Sequence, residues 1–183
     1  MFRLGDGGAM TASKTIVTDS DIRAFIDEYF DAWSGTDEGR ILSYYSDNIS
    51  LEIPGTVING KAALRDQFVR PFIAGFPGNR HIVKNMMFGK DVVVVEWSFE
   101  ADHSGPFIGR PATGTGVKLP GCGVYEFDPV KRQVTAARIY FDVTTLLKQI
   151  SSRQPQVLQD LLISWFAARA YPKPGRAPTY SAA

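Results

Sequence analysis

Sulfur and imidazole are scarce in this sequence: one cysteine, Cys122, and two histidines, His81 and His103, serve 183 residues. A lone thiol cannot close an internal disulfide, so nothing requires an oxidising compartment and a cytoplasmic location is the default expectation. There is no H-E-x-x-H, no C-x-x-C and no paired carboxylate cluster, so a bound metal is not expected. Charge of one sign is missing too. Twenty basic and 19 acidic residues, interspersed, leave a net +1, and no field favours nucleic acid or an anionic membrane as a partner. No apolar run approaches the ~18 residues of a membrane span. The opening "MFRLGDGGAMTASK" lacks the core of a signal peptide, and residues 1–17 are expected to be a loose leader. "GTGVKLPG" has neither the Lys-Ser/Thr ending nor the following helix of a phosphate loop, and no G-x-S-x-G elbow supplies a serine nucleophile.

What is present is a strong apolar pattern, 44% of the chain, enough for one domain with a sizeable core. Ile22, Phe25, Ile26, Tyr29, Phe30 and Trp33 recur at steps of three and one, which predicts a helix entered at "TDSD" and ended near Gly35. A short second helix is predicted near 37–46, then a short strand over "ISLEIPG". "INGKAALRDQFVRPF" reads as a third helix that Pro71 bends or ends. The texture then changes to strands. "RHIVKNMMF", a "GKD" turn and "VVVVEWSFEADH" predict a hairpin, and "VKLPGCGVYEF", "DPVKRQ" and "VTAARIYFD" extend it as a meander. Helices followed by strands predict an α+β fold, with a curved antiparallel sheet wrapped around the N-terminal helices to leave a cone with an apolar mouth. The domain is expected over 18–150. Residues 151–183 form an extension whose Val157, Leu158, Leu161, Leu162, Trp165 and Phe166 predict one more amphipathic helix, closing the cone or joining a partner chain.

The stretch "ARIYFDVTTLLKQI" places Asp142 between a strand and a helix. Such an acid is a natural N-cap, and it is also a candidate general base; the residues alone allow both. Alternation puts Arg138, Tyr140 and Asp142 on one strand face and Ala137, Ile139 and Phe141 on the other. In the hairpin Val93, Val95, Trp97 and Phe99 share a face, and continued alternation brings His103 to the Trp97 side. Trp33, Tyr45 and Trp97 read as core residues that could line a pocket, Phe107 and Ile108 as a rim over its mouth.

The order H-S-G-P-F-I-G-R-P-A-T-G, then a Gly-x-Tyr strand, Tyr-x-Asp and a Leu-Leu-x-Gln helix, resembles the SnoaL-like polyketide cyclase (ester cyclase) family over about residues 20–150. The resemblance implies the cystatin-like α+β cone shared with nuclear transport factor 2, and dimers. It further implies Asp142 as general acid/base for an intramolecular aldol closure that requires no cofactor, with His103 matching the family's H-x-G histidine. The substrate would be an apolar, carbonyl-bearing small molecule, and Trp33, Tyr45, His81, Trp97, Phe107 and Tyr140 are the expected contacts. Fold does not fix function. The same cone could hold a ligand without chemistry or serve as a dimerising scaffold, and Asp102, Arg138 and Asp142 would be the residues of a third option, epoxide hydrolysis.

Overall fold

The computed structural model describes residues 18–151 and Trp165; the expected leader and the amphipathic pattern of the extension otherwise lie outside the described residues. Helix α1 (Asp19–Trp33) starts at a capping box: Thr18 Oγ1 accepts from the Asp21 N–H, and the Asp21 carboxylate accepts from the Thr18 N–H. Its buried stripe is the one the spacing predicts, Ile22, Phe25, Ile26, Tyr29, Phe30 and Trp33, with Ala32 added. Helix α2 (Glu38–Ser43) is shorter than expected, because Tyr45 already belongs to strand β1 (Tyr45–Ile53). Strand β2 (Thr56–Asn59) is a departure from the reading. The chain turns at Gly55, whose φ is +85°, and pairs Val57 and Ile58 back onto β1 before α3 (Lys61–Leu64) begins.

Pro71 does not end the third helical region. A π-helical turn over Arg65–Val69, closed by Arg70 N–H to the Arg65 carbonyl, widens the helix just ahead of the proline, and α4 (Arg70–Gly75) continues beyond it. A residue without an N–H is tolerated there because the hydrogen-bond ladder has already shifted.

Strands β3 (Arg80–Gly89), β4 (Val92–Asp102), β5 (Gly116–Asp128) and β6 (Gln133–Phe141) form the predicted meander. The sheet runs β2-β1-β6-β5-β4-β3 and is antiparallel except where β1 lies parallel to β6. That parallel pair joins the N-terminal hairpin to the meander, and the rest of the sheet is antiparallel as expected. Helix α5 (Val143–Ile150) follows β6 directly. The concave sheet face and the buried stripes of the helices share one core, in which Phe25, Ile26, Ile41, Ile49, Leu64, Val69, Val93, Val95 and Val134 are fully buried. Among the described residues no helix is long and apolar enough to cross a membrane.

Candidate functional site

The register of the central strands explains why the core is not filled. On the concave face Trp97 of β4 lies opposite Gly121 of β5, which lies opposite Phe141 of β6; one step on, Val95, Gly123 and Ile139 form the next row. Two adjacent inward positions of the middle strand therefore carry no side chain. Their neighbours fold into the space: a Cβ on Gly121 would strike the Trp97 indole, and one on Gly123 would lie 2.5 Å from the Tyr125 hydroxyl. Glycine inside a strand weakens it and marks a close approach. Here it lets two aromatic rings lie flat on the sheet and leaves a cavity of about 90 Å³ beside them.

The cavity is walled by aromatic rings from α1 (Tyr29, Phe30, Trp33), from the region around α4 (Phe68, Phe72, Phe76) and from the sheet (Tyr45, Trp97, Phe99, Tyr125), with His81 among them. Among the described residues no Asp, Glu, Lys or Arg lines it. It adjoins a groove of about 310 Å³ between the β1–β2 turn, α4 and α5; Phe68, Phe107, Phe141 and Leu146 border both spaces. The groove is the apolar mouth of the cone, and Phe107 with exposed Ile108 forms its rim.

Polar capacity inside the cavity is concentrated in a few groups. The Tyr29 and Tyr45 hydroxyls are 2.6 Å apart, and Trp33 Nε1–H donates to Tyr45 Oη at 3.0 Å. The Tyr125 hydroxyl lies beside that of Tyr29. Burial pushes all three phenols above their ordinary range, so they remain protonated. Trp97 Nε1 is buried near Tyr125 but outside hydrogen-bonding geometry. His81 sits among Phe30, Phe72, Trp97 and Phe99, its ring centroid 5.3 to 6.1 Å from theirs, and its Nδ1 is buried without a partner. Burial lowers its pKa to about 4, which leaves it neutral at pH 7.

Of the residues expected to contact a ligand, Trp33, Tyr45, His81, Trp97 and Phe107 line this space. Tyr140 does not. It is 52% exposed, on the outward side of β6 with Arg138, while Ile139 and Phe141 face the cavity. The wetter face of that strand is the outside of the cone, so the expected contact at Tyr140 is corrected. Sequence reading left Tyr29 and Tyr125 out of the site. A signal existed for Tyr125, the Gly-x-Gly-x-Tyr spacing of its strand, which clears inward positions next to an inward ring.

The two expected catalytic groups lie elsewhere. Asp142 is exposed and caps α5: its carboxylate accepts from the Thr144 N–H at 2.8 Å and from Thr145 Oγ1 at 2.6 Å. The Thr145 hydrogen bond foremost holds it below the usual carboxylate range. That is opposite to the upward shift by burial that a neutral-pH base needs. Neither Asp142 nor His103 borders the cavity. His103 follows β4 and is fully buried behind Phe76, its Nδ1 3.0 Å from Thr113 Oγ1 and its Nε2 buried without a partner. Asp102 is exposed and Arg138 pairs with Glu126 at 2.8 Å, so no Asp-Arg-Asp cluster forms for epoxide chemistry. Among the described residues no group of three His, Cys, Asp or Glu could hold a metal.

A six-stranded sheet curved over N-terminal helices around an apolar cavity defines an α+β cone of the nuclear transport factor 2-like class. Residues 26–132 match the model of the SnoaL-like domain, and the chain belongs to that family. A search of curated proteins gave no match. Among solved structures the chain is similar to a protein from Jannaschia sp. CCS1 provisionally described as a SnoaL-like polyketide cyclase. Identity is 22%, the match covers 73% of this chain and 92% of that one, and the TM-score is 0.63. It is also similar to AclR of Streptomyces galilaeus, provisionally a hydroxylase (20%; 82% and 95%; TM-score 0.64). A protein of ketosteroid isomerase-like fold from Catenulispora acidiphila DSM 44928, in complex with trimethylamine, is similar at 11% identity, with 69% and 92% covered and a TM-score of 0.57. At these identities the likeness is one of fold.

Proposed function

We propose that this protein binds a hydrophobic, carbonyl-bearing small molecule in the aromatic cavity and performs cofactor-independent acid–base chemistry on it, of the intramolecular aldol kind carried out by polyketide cyclases. The observation that carries the reading is a closed-in aromatic cavity whose polar groups are all uncharged: three phenols, indole N–H groups and one neutral imidazole. Such a lining admits an apolar body and orients it by few hydrogen bonds. An aldol closure needs a proton taken from a carbon beside a carbonyl, and a donor for the oxygen that becomes negative. His81 is the ionisable base that borders the cavity. Burial holds its pKa at about 4; an enolate forming beside it would favour the imidazolium and raise that value. Asp142 and His103 would have to enter the cavity to fill the roles the family resemblance implies.

A second reading, a holder without chemistry, is favoured by one observation: the carboxylate expected to act as base is engaged as a helix cap. Turnover separates the two. Aromatic polyketide-like and terpenoid ketones are screened for binding and conversion by wild type, His81→Phe and Asp142→Asn. Conversion lost only in His81→Phe supports catalysis with His81 as the base; loss only in Asp142→Asn returns the role to Asp142; binding without conversion by wild type sinks catalysis and leaves the holder. A homodimer is the proposed assembly, and the cytoplasm the proposed compartment.

A further inference from the structure

We infer that the row of Tyr45, Tyr29 and Tyr125 is a hydrogen-bond donor site for one carbonyl oxygen of an uncharged, flat ligand. The inference rests on the cavity's role as a ligand site and specifies what that ligand presents. It follows from counting hydrogens. The Trp33 N–H is spent on Tyr45 Oη, and one hydroxyl hydrogen is spent between Tyr29 and Tyr45. These two phenols own two hydrogens, so one is left. If it passes to the neighbouring Tyr125 oxygen, the Tyr125 hydrogen is left instead. Whatever the direction of the chain, one O–H ends without an acceptor, because no carbonyl or carboxylate among the described residues accepts from any of the three. The Trp97 N–H beside Tyr125 is a further donor with no acceptor among the described residues.

A buried donor without an acceptor costs stability, so a donor surplus gathered on one wall of a cavity is matched by what enters it. The entrant must bring lone pairs. It brings no net negative charge, since no cation among the described residues lines the cavity to offset an anion's desolvation, and no carboxylate among them is there to receive a cation. A ketone or quinone oxygen fits both demands, with the rings of Trp33, Phe72 and Trp97 facing the apolar body. The same donors would hold an oxygen that gains negative charge during enolisation, with no rearrangement.

The test uses acetophenone labelled with carbon-13 at the carbonyl, and ethylbenzene as its counterpart without the oxygen, on the full chain. Acetophenone is expected to bind the wild type more tightly than ethylbenzene, with its C=O stretch below the frequency seen in hexane and its carbonyl carbon shifted downfield. In the variant with Tyr29, Tyr45 and Tyr125 all replaced by phenylalanine, which removes every phenol hydrogen of the row, its affinity should fall about three- to tenfold while that of ethylbenzene holds, and the carbonyl shift should shrink. Tyr125→Phe alone leaves, by the same count, one hydrogen on Tyr29 or Tyr45 and should keep a lowered C=O frequency, and circular dichroism establishes that each variant is folded. Equal affinity for the two compounds with an unshifted carbonyl overturns the inference, as does failure of both to bind. Tighter binding of tetramethylammonium also overturns it, since the rings would then serve a cation. A shifted carbonyl with no turnover of any ketone would remove the catalytic reading and leave the donor site standing; turnover with an unshifted carbonyl would do the reverse.

Discussion

The indole of Trp97 lies across Gly121, its partner on the next strand, and an added Cβ at Gly121 would collide with the ring. The collision is with a buried aromatic ring that is packed on the sheet and open only toward the cavity. Gly121→Ala should therefore destabilise the fold by about 1–3 kcal/mol, the range for overpacking a core. The displaced ring would also shrink the cavity, so thermal melting and acetophenone binding should both report the change. A melting temperature equal to wild type would show that the sheet opens to accommodate the methyl.

Asp142 should behave as a cap. Asp142→Ala removes the acceptor for the Thr144 N–H and for Thr145 Oγ1, and should cost about 1 kcal/mol of stability. Asp142→Asn should cost much less, because Asn caps about as well. Ligand affinity should stay within about twofold in both, since neither change touches the cavity wall. Chemical denaturation of the three proteins measures the first claim and titration the second. A carboxylate that is exposed yet catalytic would show the opposite pattern, small stability changes and lost turnover.

Periodicity located α1, the β3–β4 hairpin, the β5–β6 meander and the junction at Asp142, because each of these buries one face and advertises it in the spacing of apolar residues. It missed β2, a four-residue edge strand with only Ile58 buried, and the parallel β1–β6 pair, which is set by tertiary contact between distant segments. Trp33, Tyr45, Trp97 and His81 were legible as candidates since large inward residues must line whatever space the sheet leaves. Tyr140 was expected at the site and Tyr125 was left out of it for one reason. Alternation states which residues share a face, but not which face is concave. The roles of Asp142 and His103 came with the family resemblance, and local geometry decides such roles: a side chain at a strand end can turn toward the cavity or back to its own helix.

Acid should weaken the fold through His81. Burial depresses its pKa from 6.5 to about 4, so between those values the unfolded chain binds a proton that the folded chain does not. Stability is then full above pH 6.5 and falls as pH drops toward about 4, by up to about 3 kcal/mol for a shift of this size. His103 is shifted in the same direction by burial and by Arg110, which makes the comparison between variants essential. His81→Phe should flatten part of the decline between pH 6.5 and 4, leaving the share due to His103. An unchanged slope would mean that water solvates the His81 ring inside the cavity.

Arg110 is a buried cation that no carboxylate accompanies among the described residues: Nη1 donates to Ser151 Oγ at 2.6 Å at the end of α5, and burial lowers the guanidinium pKa. Two features make the placement tolerable. The last carbonyls of α5 present the negative end of the helix dipole, and the Phe107–Arg110 turn is pinned by paired backbone bonds of 2.9 and 3.0 Å. Ile108 stands at φ +44° in that turn, a conformation a β-branched residue adopts only under strain. Its exposed side chain reaches the rim of the groove, so the turn holds an apolar group where a ligand would enter. Ile108→Asn should then raise stability by about 1 kcal/mol, because Asn accepts the left-handed region. The same change should lower affinity for apolar ligands by removing rim surface. Ser151→Ala should act in the other sense, costing about 1–3 kcal/mol by stripping a hydrogen bond from a buried charge. Measuring melting and ligand binding for both variants separates strain at the rim from anchoring at α5; a stability loss in Ile108→Asn would show that packing of the isoleucine outweighs its backbone cost.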